Sequence, residues 1–101
     1  MITELTRLPV GKENGTAFEK SWIEAEKILV LQPGYVSHKI GRVVEDDQGY
    51  ILEIVWASME AHVTDFVGSP DFTAFIEHIA QYLNGDADVV HYATFSSSNN
   101  S

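Results

Sequence analysis

Histidine supplies most of the acid–base chemistry in this sequence of 101 residues, which contains no cysteine and therefore no thiolate nucleophile. The four histidines are His38, His62, His78 and His91. His62 lies at the edge of a short apolar stripe of helical spacing, formed by Met59, Val63 and Phe66, so its ring is predicted to face the sheet. An imidazole between an apolar pocket and solvent has a pKa of about 6.5 and can act as a general base near neutral pH.

Each histidine also has a structural interpretation. His62 can instead donate a hydrogen bond to the neighbouring backbone and fix its helix to the end of a strand. His91 is assigned to packing or to a dimer interface, and His78 to a half-exposed position on a helix. No two histidines have the short helical spacing of a two-histidine metal motif, so we expect no metal site made of protein ligands alone.

Aromatic residues are predicted to surround a gap between the sheet and the helices. Trp56 ends a strand, and Phe66, Phe72 and Phe75 point into the same gap from the helices that follow. Such a gap suits a flat apolar ligand, for example a polycyclic phenol, a quinol or a porphyrin. An aromatic stripe of this kind is more often ordinary core, so the two interpretations compete. Glu4 and Glu53 lie within predicted strands and are given no role.

The periodicity of the sequence predicts the elements that hold these residues. Strands are predicted over Ile2–Leu8, Tyr35–Val44, Tyr50–Trp56 and Asp88–Phe95. A first helix begins at a cap at Asn14 or Thr16 and must stop by Gln32. Ser58 caps a short helix, and Ser69–Pro70 starts a helix whose stripe ends at Leu83. A polar loop, 45–49, joins the second and third strands. The order is the α+β, ferredoxin-like βαββαβ pattern, a four-stranded antiparallel sheet with both helices on one face.

The other face of this sheet needs a cover of its own. The third strand is apolar at nearly every position, which is expected when both faces of a sheet are buried. We therefore expect a homodimer joined through the open sheet face, obligate if it buries about 1,600 Å² or more.

Composition and charge limit the binding partners and the cellular location that we expect. The formal net charge is -9, which repels phosphate backbones and anionic lipid headgroups, so neither nucleic acid nor a membrane is an expected partner. No run approaches the roughly 18 apolar residues of a membrane span, and no signal peptide is recognisable, so we expect a cytoplasmic protein. Residues 1–95 are predicted to form one domain, followed by a disordered Ser/Asn tail over 96–101. The charge disfavours strongly anionic substrates unless Lys39 or Arg42 lies near the pocket mouth.

The chain resembles the antibiotic biosynthesis monooxygenase family over about Ile2 to Phe95. The most specific part runs from Val55 to His62 and continues with Phe66, Ser69-Pro70-Asp71-Phe72 and Phe75. Gln32-Pro33-Gly34-Tyr35 is a second matching signature, and Val90-His91-Tyr92 is a weaker third. The resemblance implies a dimeric α/β barrel, in which the sheets of two subunits form an eight-stranded barrel, and a pocket in each subunit between sheet and helices.

Members of this family include oxygenases that use no metal or flavin, so the resemblance implies no cofactor. In these oxygenases a deprotonated aromatic substrate supplies electrons to molecular oxygen. His62 would then be the base or would polarise a substrate hydroxyl. The predicted substrate pocket is lined by Trp56, Phe66, Phe72, Phe75 and Ile76. The alternative is a non-catalytic dimer that binds a hydrophobic ligand, in a stress-related or structural role.

A second branch of the family degrades heme with a helix histidine and a first-strand asparagine. Here Ile76 stands near the expected histidine position and Thr6 near the asparagine. His78, two residues further, points about 200° away on a helix and is a poor substitute. Heme degradation is therefore disfavoured.

Overall fold

The computed structural model describes residues 1–45 and 49–99 of the chain. Its four strands are β1 (Ile2–Leu8), β2 (Tyr35–Arg42), β3 (Tyr50–Trp56) and β4 (Asp88–Tyr92). They form one sheet in the order β2-β3-β1-β4, and every neighbouring pair is antiparallel. The predicted ferredoxin-like fold is confirmed.

Two α-helices cover one face of the sheet, α1 (Gly15–Leu29) and α2 (Pro70–Glu77). Between β3 and α2 the chain makes a wide helical turn over Ala61–Phe66, here called the π turn, and 3₁₀ turns span Lys12–Asn14 and Ala80–Tyr82. The side chain of Ser69 accepts a hydrogen bond from the backbone N–H of Phe72, as predicted for a helix-capping serine.

Strand β3 shows how the sheet divides the chain into a core side and an open side. Alternate side chains are buried under the helices, namely Tyr50, Leu52, Ile54 and Trp56. The side chains between them point to the opposite face and are partly exposed, namely Ile51, Glu53 and Val55. Any residue on the core face of its neighbour β1 is therefore enclosed between sheet and helices.

Three predicted elements end earlier than the sequence suggested. Helix α2 stops at Glu77 rather than Leu83. The hydroxyl of Ser21 donates to the carbonyl of His78 at 2.6 Å, which takes that carbonyl out of the helix. Leu83 instead forms an antiparallel bridge with Val10. Strand β2 stops at Arg42 rather than Val44.

Strand β4 ends at Tyr92 rather than Phe95 because the first residues of its partner β1 lie opposite that point. Tyr92 pairs with Thr3, and β1 begins at Ile2. Phe95 is fully exposed.

Parts of two predicted segments lie outside the described residues, namely 46–48 of the polar loop and 100–101 of the tail. Residues 96–99 are exposed and form neither helix nor strand. Across the described ranges, no helix is both long and apolar enough to cross a membrane.

Gly34 leads into β2 with a φ of 84°, a backbone conformation that L side chains rarely adopt. A Cβ atom added there would lie 2.5 Å from the Cβ of Ala61, the residue next to His62. We expect Gly34→Ala to lower the free energy of unfolding, measured by urea denaturation, by more than about 1 kcal/mol.

The matched control is Gly85→Ala, because a Cβ on Gly85 meets no atom within 4 Å. It should stay within about 0.5 kcal/mol of the wild type. Equal free energies of unfolding for the two variants would contradict the steric role of Gly34.

Candidate functional site

The π turn places His62 against the core face of the sheet. The backbone N–H of Val67 donates to the carbonyl of His62 at 3.0 Å, an i to i+5 bond, and the side chain of Ser58 accepts from the N–H of Ala61 at 3.1 Å. A bond of this span widens the turn, so the buried residues are Ala61, His62 and Phe66. The predicted orientation of His62 and the cap at Ser58 are therefore confirmed.

The predicted apolar stripe is partly wrong, because Met59 and Val63 are exposed by 45% and 47%. That stripe assumed the spacing of an α-helix. The wider turn rotates these two side chains away from the core and leaves Phe66 as the stripe's one buried member.

The Glu4 carboxylate is the partner that holds His62. Glu4 lies on the core face of β1 and is only 6% exposed. The Nε2 atom of His62 lies 3.1 Å from Oε1 of Glu4, and the indole N–H of Trp56 donates to the same oxygen at 3.0 Å. The hydroxyl of Thr6 donates to the other oxygen, Oε2. Two hydrogen bonds and the close approach of the His62 ring therefore surround the carboxylate.

A second histidine is hydrogen-bonded to the other side of the His62 ring. The Nδ1 atom of His62 lies 2.8 Å from Nε2 of His91. His91 reaches it because it stands opposite Glu4 in the register between β4 and β1. Trp56 stacks on the His62 ring at a centroid distance of 5.2 Å and an interplanar angle of 9°. Glu4, His62 and His91 thus form a continuous row, called here the relay.

Burial lowers the pKa of His62 below its ordinary value of 6.5, because the charged ring would lose its hydration. The negative charge of Glu4 raises the pKa by a smaller amount, and neighbouring His91 lowers it further. His62 is therefore neutral at pH 7, the protonation state that a general base needs.

The predicted pocket residues lie together beside the relay. Trp56, Phe66 and Phe75 are buried, while Phe72 and Ile76 are partly buried. The ring of Phe66 lies 5.6 Å from Trp56, 5.2 Å from Phe72 and 5.3 Å from Phe75, measured between ring centroids. These rings pack directly on one another, and their role in binding a ligand stays a prediction.

A second carboxylate–imidazole unit lies between α1 and β2, and the sequence reasoning missed it. The carboxylate of Glu26 lies 2.7 Å from Nε2 of His38 and accepts from the indole N–H of Trp22 at 3.2 Å. The hydroxyl of Tyr35 lies 2.5 Å from Nδ1 of His38. Burial and the charge of Glu26 both raise the pKa of Tyr35, which stays protonated at neutral pH.

An open cleft of about 360 Å³ lies next to this second unit, between α1 and β2. Its lining residues are Phe18, Glu19, Trp22, Ile40, Gly41, Arg42 and Tyr50. Arg42 is bound to Glu19 at 2.7 Å, so much of its positive charge is already neutralised. Lys39 pairs with Glu53 on the open face of the sheet. Within the described ranges, no group of three or more acidic or histidine side chains has the arrangement of a metal site.

Sequence reasoning missed the roles of Glu4, Thr6 and His91. The signal for Glu4 was present, because the alternation in β1 places it on the same face as Leu8, which is buried. For His91 no local signal exists. Its position depends on the pairing of β4 with β1, which joins segments more than 80 residues apart.

Comparison with known proteins agrees with this fold. Residues 1–78 match the family described as antibiotic biosynthesis monooxygenase. The uncharacterised protein YczJ of Bacillus subtilis is 23% identical over 92 residues, which cover 91% of this chain and 97% of YczJ.

Solved structures are similar over nearly the whole chain. A Bordetella bronchiseptica protein, named as an antibiotic biosynthesis monooxygenase, gives a TM-score of 0.88 at 22% identity and covers 94% of this chain and 97% of its own. SnoaB of Streptomyces nogalater, described as a cofactor-independent oxygenase, gives 0.79 at 20% identity and covers 95% and 94%. At these identities the likeness shows the fold.

The lowered pKa of His62 makes stability depend on pH with a defined sign. The unfolded chain takes up a proton on this histidine near pH 6.5, while the folded chain does so only at lower pH. The free energy of unfolding should therefore fall as the pH drops from about 7 toward 5, with a contribution of at most about 1.4 kcal/mol per pH unit. His62→Gln should remove this contribution in urea titrations at fixed protein concentration.

The control for this titration is His78→Gln, which removes a half-buried histidine that lies outside the relay. It should keep the His62 contribution. A pH dependence of His62→Gln identical to that of the wild type would contradict the lowered pKa.

Proposed function

The chain belongs to the antibiotic biosynthesis monooxygenase family, and from this premise we propose that it is a cofactor-independent monooxygenase. Its substrate class would be an aromatic, quinol or polyketide-like small molecule, held between sheet and helices. The relay would supply the acid–base chemistry, with His62 at its centre. The protein would work in the cytoplasm, without metal or flavin.

The observation that carries this proposal is the buried relay beside an aromatic cluster. His62 is 8% exposed and neutral at pH 7, Glu4 is buried behind it, and Trp56 stacks on its ring. A neutral imidazole oriented by a carboxylate is a general base, and an aromatic surrounding is where a planar substrate binds. A purely apolar core needs no such row of polar groups.

The chemistry requires little of the protein beyond these parts. The relay would remove a proton from an enol or phenol hydroxyl, and the electron pair left on oxygen makes the ring electron-rich. The anion would reduce molecular oxygen and form a carbon–oxygen bond, giving a hydroperoxide that loses water. Overall, a CH₂ group and O₂ become a carbonyl group and H₂O, so the substrate supplies all the electrons. A water-poor site protects the intermediates.

The substrate is proposed to bind against Trp56 and Phe66, with Phe72, Phe75 and Ile76 completing the wall. Because Phe72 and Ile76 are partly exposed on α2, they would move aside most easily when a ligand enters. Trp56 is fixed by its hydrogen bond to Glu4 and would remain in place as the stacking surface.

A homodimer through the open sheet face is part of the proposal. Apolar side chains line this face, namely Leu5, Ile51, Val55, Val90 and Tyr92. Val90 and Tyr92 are 54% and 44% exposed in the single chain. A second copy would remove these apolar side chains from water, in the arrangement implied by a dimeric α/β barrel.

One observation favours a second candidate function, a non-catalytic dimer that binds a hydrophobic ligand. Both ring nitrogens of His62 already have partners within the protein, as a structural histidine would. In that case His62 and Glu4 only stabilise the fold, and the aromatic cluster only binds.

Loss of the relay's central imidazole should separate these two functions. We expect His62→Gln, whose amide can still donate to Glu4, to reduce the oxygen consumption rate about 10²- to 10⁴-fold with anthrone or naphthalene-1,4-diol. An oxygen electrode measures the rate, corrected for spontaneous oxidation. Turnover at the wild-type rate by a folded His62→Gln variant would reject a catalytic role for His62 and favour the binding protein.

The oligomeric state tests the proposed interface. The chain of 11.2 kDa should sediment as a dimer at micromolar concentration, and Val55→Glu should shift it to monomer because a charge would be buried between the sheets. Ile23→Glu is the control, since Ile23 is an exposed apolar residue on α1. A monomeric wild type, or equal dissociation by both variants, would contradict the interface.

A further inference from the structure

The relay does not end at His62. Both nitrogens of that ring have partners within the protein, Nε2 with Glu4 and Nδ1 with His91. His91 is only partly buried, and it belongs to β4, which is an edge strand of the sheet. Among the described residues, the hydrogen bond of His91 uses its Nε2 atom, and no buried side-chain polar atom lacks a partner. We infer that Nδ1 of His91 faces solvent and forms the outer end of the relay.

The direction of each hydrogen bond follows from which groups can donate. The Nε2 atom of His62 lies 3.1 Å from the Glu4 carboxylate, whose negative charge favours the ring proton on that nitrogen. A neutral imidazole carries one N–H, so Nδ1 of His62 is a lone pair and Nε2 of His91 must donate to it. In the neutral form of the His91 ring, Nδ1 then carries a lone pair as well. The row of groups thus has its one available basic nitrogen at its outer end.

We propose that Nδ1 of His91 is the atom that accepts the substrate's proton, with His62 and Glu4 as positioning residues behind it. This inference rests on the proposed function. The O–H bond of the enol or phenol breaks, its electron pair stays on the substrate oxygen, and an N–H bond forms at Nδ1. The His91 ring then carries a positive charge, and its Nε2 proton can shift toward His62, whose other side faces the Glu4 carboxylate.

The same proton is returned later in the reaction. The peroxide anion formed at the substrate carbon takes this proton from His91 and becomes the hydroperoxide. In the elimination, the C–H bond at that carbon breaks and its proton goes to Nδ1 while the O–O bond breaks, and the departing hydroxide takes the proton from Nδ1 and leaves as water. The relay ends neutral, as it began. A row of two imidazoles backed by a carboxylate therefore completes the cycle without an outside acid or base.

The proposal assigns different consequences to two substitutions at His91. His91→Gln retains an amide N–H that can donate to His62, as Nε2 does, but it has no basic atom at the position of Nδ1. His91→Ala removes both and leaves space for a small base. A role in packing alone would make His91→Ala the damaging change and His91→Gln a mild one.

Oxygen consumption with anthrone tests this assignment. We expect His91→Gln to keep the wild-type unfolding midpoint and to lose about 10²- to 10⁴-fold in rate. His91→Ala should lose as much, and added imidazole should restore part of its rate but none of that of His91→Gln. His78→Ala serves as the control with an unchanged rate. A folded His91→Gln with the wild-type rate, or His91→Ala that imidazole does not rescue, would overturn the proposal.

Failure of the proposed function would have a different signature. If the wild type consumes no oxygen with anthrone above the spontaneous rate, that function is wrong and the catalytic role of His91 falls with it. The proton arrangement is still tested by ¹⁵N NMR of the histidine rings at pH 7.5, which requires no substrate. Protonated Nε2 and bare Nδ1 on both His62 and His91 are expected, and a protonated Nδ1 on His91 would overturn the arrangement.

Discussion

Burial of the Glu4 carboxylate on the core face of β1 constrains everything around it. A charge removed from water costs several kcal/mol unless hydrogen-bond donors replace the water. Here Thr6 of the same strand and Trp56 of β3 donate hydrogen bonds, and the His62 ring of the π turn lies 3.1 Å from the carboxylate. The three elements must meet at one point for the carboxylate to be tolerated. The need to satisfy Glu4 therefore fixes the position of His62, and through it that of His91.

A carboxylate that contacts one indole and one imidazole occurs twice in the chain, at Glu4 and at Glu26. Glu26 also accepts from one indole and one imidazole, but its side chain is 42% exposed, so water shares in its solvation. That unit ends at the hydroxyl of Tyr35, which stays protonated. The relay of Glu4 is more deeply buried and ends at a basic nitrogen. This difference in burial and in terminal group is why the acid–base chemistry is proposed at Glu4 and not at Glu26.

The local sequence predicted the fold well because periodicity and caps are local. Strands β1 and β3 have the predicted bounds, and Ser58 and Ser69 cap as expected. The predicted stripe containing Met59 and Val63 assumed α-helical spacing, and the π turn does not have it. The end of α2 depends on Ser21, 57 residues before its partner His78.

The candidate site was predicted only in part, because some of its contacts join residues that are distant in the sequence. His62 and Trp56 were identified from their neighbours in sequence, whereas the pairing of Glu4 with His91 follows from strand register. Register joins distant segments, and no local pattern specifies which residue stands opposite Glu4. A carboxylate on a strand face shared with buried Leu8 was the clue that the sequence did offer.

Oxygen labelling tests the central claim most directly, that the relay and the aromatic cluster let a substrate react with O₂ without a cofactor. Metal-stripped wild-type protein would be incubated with anthrone under ¹⁸O₂, and the mass of the anthraquinone product would be measured by mass spectrometry. Product should form faster than without protein and should carry one ¹⁸O atom per molecule. Product formed no faster than in the protein-free control, or a new oxygen that comes from water, would contradict it.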